Sequence, residues 1–198
     1  MSALLRVSLL LQVVSCQGLL HIHVAPAPGP VIAGCLEETV ATCVVRGAGP
    51  PVEISWRTGG LPYTAELQTT QENGTMTIRS ELKMIPNNGI YGLSVTCVIV
   101  QNLWVNEEQF EKTIALQNIH FAPDIVNIDL LSHEPLQLLC NSHAHPAAEY
   151  TWWRDDQVIA SGDAAMTPKN TEPGMYKCEA KNYLGAKTAS LKIENTFL

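Results

Sequence analysis

Beyond residue 18 the sequence has no run of about 18 or more apolar residues, so nothing in it is suited to cross a bilayer as a helix. Positive charge is scarce. Twelve Lys and Arg stand against 19 Asp and Glu, a formal net charge of -7. That balance excludes sequence-independent binding to nucleic acid, which rests on many cationic contacts to phosphate. There is no basic run and no basic amphipathic helix, so nothing suggests direct binding to an anionic membrane surface. Apolar positions recur with a period of two rather than 3.6, which leaves no helix longer than a turn. No Gly-x-Ser-x-Gly elbow and no glycine-rich phosphate loop occur. The chain therefore reads as non-enzymatic, with no cofactor and no metal.

What is present begins with a secretory leader over residues 1–18. Arg6 is its positive end, Val7 to Val14 its apolar stretch, and Ser15-Cys16-Gln17-Gly18 its small-residue region. Such a leader predicts the secretory pathway, an extracellular or cell-surface destination, and an oxidising compartment in which disulfides persist. Of six cysteines, Cys16 falls in the leader and five remain. Cys43 and Cys97 flank Trp56, and Cys140 and Cys178 flank Trp152. Cysteine, tryptophan about a dozen residues on, then a second cysteine is the pin of an immunoglobulin-type β-sandwich, and this motif context selects Cys43 with Cys97 and Cys140 with Cys178. Cys35 is left over, either as a free or intermolecular thiol or as a small apolar residue near the first strand.

The expected fold is all-β, two tandem immunoglobulin-like β-sandwiches. The first, constant-type, spans 21–117, and the second, short and intermediate-type, spans 123–194. In the first, Ala41, Cys43 and Val45 face inwards, as do Val52, Ile54 and Trp56, and then Met76, Ile78, Leu82 and Met84. The polar run Thr64 to Glu72 predicts at most a weak strand. Residues 117–123 read as a short, stiff linker ending in Pro123. The centre of the second sandwich is thin, with an edge strand at Gln157 to Ala160 and no alternating strand over Ser161 to Pro173.

Candidate chemistry is sparse. His143-Ala144-His145 could seed a metal site, but two imidazoles are too few and a pair of exposed loop histidines is the better reading. Asp155-Asp156 and Glu107-Glu108 read as solvated turn charges rather than acid–base pairs. Asn73-Gly74-Thr75 is a glycosylation sequon on an expected turn, so Asn73 is the candidate glycan site. Trp153 should face away from Trp152, because successive strand side chains alternate.

The order of Val40-Ala41-Thr42-Cys43, Val52-Glu53-Ile54-Ser55-Trp56, Asn73-Gly74-Thr75-Met76-Thr77-Ile78 and Gly92-Leu93-Ser94-Val95-Thr96-Cys97 resembles the second, constant-like domain of the nectin, poliovirus-receptor and nectin-like cell adhesion molecules. The stretch Gly174-Met175-Tyr176-Lys177-Cys178-Glu179-Ala180-Lys181-Asn182-Tyr183 is similar to their third domain. The resemblance implies cell–cell adhesion or cell-surface recognition, with cell-surface immunoglobulin-superfamily proteins as partners. It also implies that the membrane-distal variable domain, where family members make their principal contacts, is missing, so no partner-binding residue is carried over and no oligomeric state follows. The remaining expectations are a secreted soluble decoy or ligand, or a spacer piece of a longer single-pass receptor. They are prompted by the stop at Asn195-Thr196-Phe197-Leu198.

Overall fold

A computed structural model describes residues 20–48, 52–72, 75–102, 107–133, 135–166 and 173–194. The leader, Cys16 and Asn73 lie outside the described residues. The first half contains β1 (His21–Pro26), β2 (Val31–Ile32), β3 (Glu38–Ala48), β4 (Val52–Arg57), β5 (Thr64–Glu72), β6 (Thr75–Met84), a 3-10 turn (Asn88–Ile90), β7 (Ser94–Asn102) and β8 (Glu107–Ala115). A long strand follows, β9 (Ile119–His133), then β10 (Leu136–His145), β11 (Glu149–Arg154), β12 (Gln157–Gly162), β13 (Ala165–Met166), β14 (Gly174–Asn182) and β15 (Gly185–Ile193). Among the described residues the chain is nearly all β. None of their helices is long and apolar enough to cross a membrane.

These strands form two immunoglobulin-like sandwiches. In the first, a four-stranded sheet ordered β1-β3-β6-β5 faces a three-stranded sheet ordered β4-β7-β8. Period-two alternation builds its core: Cys43, Val45, Ile54, Trp56, Ile78, Leu82, Met84, Val95, Cys97 and Ile99 are all buried. Val40 is buried beside Ala41 because the ladder to β6 slips by one residue between Thr39 and Ala41, a bulge that turns two successive side chains inwards. In the second sandwich β13-β10-β9 forms one sheet and β12-β11-β14-β15 the other, while β2 of the first half pairs in parallel with Ile119 and His120 at the start of β9. Leu136, Leu138, Cys140, Trp152, Tyr176 and Cys178 are buried between them.

Three features differ from the sequence expectation. The run Thr64 to Glu72 is a full nine-residue strand, paired with β6 along its whole length. Its side chains are exposed throughout the described part, so apolar alternation could not announce it, and its pairing with β6 holds it. The expected linker is largely strand. Ile119 and Phe121 alternate into the core of the first sandwich, and β9 then runs on without a break as the first strand of the second. Pro123, which has no N–H to give a ladder, falls where pairing lapses between Phe121↔His145 and Ile125↔His143. Finally, His143 and His145 end strand β10 and do not lie in a loop. The middle of the second sandwich holds β12 at a sheet edge and only the two-residue β13 before the described residues stop at 166.

Candidate recognition surface and interdomain junction

Each sandwich is pinned through its centre. Cys43 is bonded to Cys97 across the first, on β3 and β7, and Cys140 to Cys178 across the second, on β10 and β14. Trp56 and Trp152 lie on the strands next to these bridges, opposite Cys97 and Cys178 respectively. Their indole nitrogens fare differently. Trp56 Nε1 donates to the buried Ser80 Oγ at 3.0 Å, from β4 across to β6. Trp152 Nε1 is buried and finds no acceptor among the described residues. Cys35 is free and exposed. No group of three or more His, Cys, Asp or Glu among the described residues is arranged to hold a metal ion.

Trp153 takes the other face of β11, and apolar side chains lie around it on the outer surface of the second sandwich. The ladder sets Val158, Trp153, Lys177 and Ser190 in one row across β12, β11, β14 and β15. Directly paired strand residues project from the same face, so this row lies side by side on the outer surface. The Lys177 ammonium stands 4.9 Å from the centre of the Trp153 ring, a cation–π contact that leaves the indole half-exposed. Met175, one step along β14, is 46% exposed, and Val158 is 62% exposed. Trp153, Met175 and Lys177 line a groove of about 380 Å³ together with Asp155, Asp156 and Ser190.

The lip of the groove is fixed by a tight turn. Asp155 and Asp156 have φ of 46° and 66°, the left-handed pair of a two-residue hairpin loop. Asp155 N–H donates to the Met175 carbonyl, and Asp155 Oδ1 accepts from Met175 N–H at 3.1 Å. Gly174 leaves room for this, since a Cβ there would stand 2.9 Å from Asp155 Oδ2. The two aspartates are thus turn charges with one of them committed to the backbone.

The histidines gather elsewhere, where the sandwiches meet. His145 stacks on Tyr91 with centroids 4.5 Å apart and meets His120 edge-on at 4.9 Å. His120 Nδ1 is 2.8 Å from the Tyr183 hydroxyl. Phe121 touches both Tyr91 and His143, and His143 Nδ1 lies 3.2 Å from Asp124 Oδ1. Asn88 donates to the Asp124 carboxylate, Lys187 to the Asp124 carbonyl, and Asn182 to the carbonyls of Phe121 and Pro146. Sequence reasoning found His143 and His145 but missed His120, Tyr91 and Tyr183. These come from separate elements and share no local spacing.

With this geometry in place, comparison with known proteins is informative. Residues 24–103 match the family model for the CD80-like C2-set immunoglobulin domain. Nectin 1b of Danio rerio is 26% identical over 180 residues, which cover 80% of this chain and 31% of the relative. Cell adhesion molecule 2 of Xenopus tropicalis is 24% identical over 184 residues, covering 84% of this chain and 42% of the relative. The crystal structure of the mouse nectin-like molecule 4 ectodomain, Ig1 to Ig3, superposes with a TM-score of 0.61 at 20% identity, over 87% of this chain and 62% of that one.

Residues 24–103 form a C2-set immunoglobulin domain, and the chain as a whole is similar to nectins and nectin-like cell adhesion molecules. It spans less than half the length of the curated relatives named above. Those relatives are cell adhesion molecules, a class of non-enzymatic cell-surface proteins. Among the described residues, the Trp153 groove and the histidine junction stand apart from the cores. The bridges, Trp56 and Trp152 are consumed by the cores.

Proposed function

We propose that this chain is a non-enzymatic adhesion or recognition protein of the secretory pathway that binds immunoglobulin-superfamily proteins at the cell surface through the outer face of its second sandwich. In this reading residues 21–117 and 123–194 are the two modules, joined through β9, with Asn73 glycosylated. The observation that carries it is the row Val158–Trp153–Lys177 with Met175 beside it, an aromatic and aliphatic strip left open on a sheet face. Tryptophan held rigid in such a strip is the side chain most often found to dominate binding at protein interfaces. Similarity to cell adhesion molecules supports the class of partner.

The test is binding of the full chain to cells displaying a panel of immunoglobulin-superfamily ectodomains, with Trp153→Ala as the variant. Binding to at least one member, weakened about tenfold or more by Trp153→Ala, is expected; tenfold corresponds to about 1.4 kcal/mol. No binding across the panel defeats the reading. Binding that ignores the substitution moves the surface elsewhere.

A further inference from the structure

The junction combines three histidines with side chains from four elements, and it holds the two sandwiches together. The tip of the β14–β15 hairpin reaches β9 through Asn182 and Tyr183, and the approach is tight: a Cβ on Gly185 would stand 3.1 Å from Ala122 Cβ. Tyr91, just past the 3-10 turn of the first sandwich, closes the other side through Phe121 and His145. We propose that this junction is an acid-sensitive elbow, in which protonation of His120 loosens the grip of β10 and the β14–β15 hairpin on β9 and lets the two sandwiches swing relative to one another.

The charges around His120 are unfavourable to its cationic form. On the β10 side the ring faces His145, and on the hairpin side it faces the uncharged Tyr183 hydroxyl. Asp124, the carboxylate of this cluster, is occupied by Asn88 and His143, and the Lys187 ammonium sits on the Asp124 carbonyl. Tyr91 adds a neutral ring. His120 is accordingly held below the usual imidazole value, by partial burial first and by the proximity of His145 second.

The sign follows. The released form binds a proton more readily than the docked form, so docking is at full strength above the ordinary imidazole value of about 6.5 and weakens as pH falls below it. His143, by contrast, is paired with the Asp124 carboxylate. Its side chain is 48% exposed, and an exposed pair is screened, so the partly buried His120 with a like-charged neighbour decides the outcome. A bistable interface biased by histidine is a recognised way to sense the pH range between the cell surface and acidified compartments.

The experiment is a pH titration of the full secreted chain from 7.5 to 5.0, with imidazole resonances followed by NMR and interdomain dimensions by small-angle scattering. His120 is expected to titrate below the ordinary imidazole value of about 6.5, and the scattering profile to broaden over the window in which His120 takes up its proton. In His120→Gln the broadening should vanish, while in the control His133→Gln it should persist. If His120→Gln does not fold, His145→Asn serves: removing the like charge should move both the His120 titration and the scattering change to higher pH. Titration of His120 at or above about 6.5 overturns the proposal. So does broadening that survives His120→Gln, or a midpoint unmoved in His145→Asn.

Discussion

Trp56 and Trp152 occupy the same place in their two sandwiches, and the fate of the indole N–H separates them. Replacing Trp56 by Phe strands the buried Ser80 hydroxyl as well as removing volume, whereas Trp152→Phe removes volume and a donor that has no described acceptor. An unsatisfied buried polar group costs about 1–3 kcal/mol. Urea denaturation should therefore show Trp56→Phe to be the more damaging by roughly that amount, and equal losses would count against the assigned hydrogen bond. Exposed ion pairs matter less. Arg57 holds the Glu111 carboxyl below its usual range, chiefly through their hydrogen bonds, and Lys83 does the same to Glu66. Carboxylates so lowered support folding at neutral pH and lose that support as pH falls through their lowered values. Both pairs are solvent-exposed, so adding salt should weaken even this contribution. Asn73 is tested by intact mass: the secreted product should carry one N-glycan that Asn73→Gln removes.

At the scale of elements, β9 decides how the chain is divided. Ile119 and Phe121 lie past residue 117 yet are buried in the first core, so Phe121→Ala should destabilise the first sandwich by about 3–5 kcal/mol. Intrinsic tryptophan fluorescence during urea unfolding would report it, and an unaffected first sandwich would contradict the shared strand. Cys97→Ala opens the bridge that spans 54 residues and should cost about 2–5 kcal/mol. Unchanged thermal stability would defeat that pairing. Most strands were legible in the sequence because one face of each is apolar: Val52, Ile54 and Trp56 on β4, or Met76, Ile78, Leu82 and Met84 on β6, alternate without ambiguity. β5 was not, since Thr64 to Glu72 is polar on both faces and takes its structure from its partner. Nor was β9, because Pro123 reads as a break until the missing N–H is seen to coincide with a lapse in pairing. On the candidate surface, Trp153 could be placed by alternation from Trp152. Its neighbours Val158, Met175 and Lys177 become neighbours only through strand register, which one sequence does not specify.

At the scale of the whole molecule, the two sandwiches divide the work. The first gathers its buried apolar side chains around the Cys43–Cys97 bridge, and its larger sheet is edged by the exposed strand β5. The second has a smaller described core and an outer face on which Met175 and Val158 are exposed beside the partly covered Trp153. Between them lies the histidine junction, whose state sets the angle at which that face is presented. The account thus places recognition on the second sandwich and its control at the joint. The most direct measurement is the dissociation constant of the purified full chain for a nectin or cell adhesion molecule ectodomain, compared with that of Trp153→Ala at matched thermal stability. The account predicts measurable binding and a loss of about tenfold or more on substitution. Equal affinity of the two proteins, or no binding by either, would contradict it.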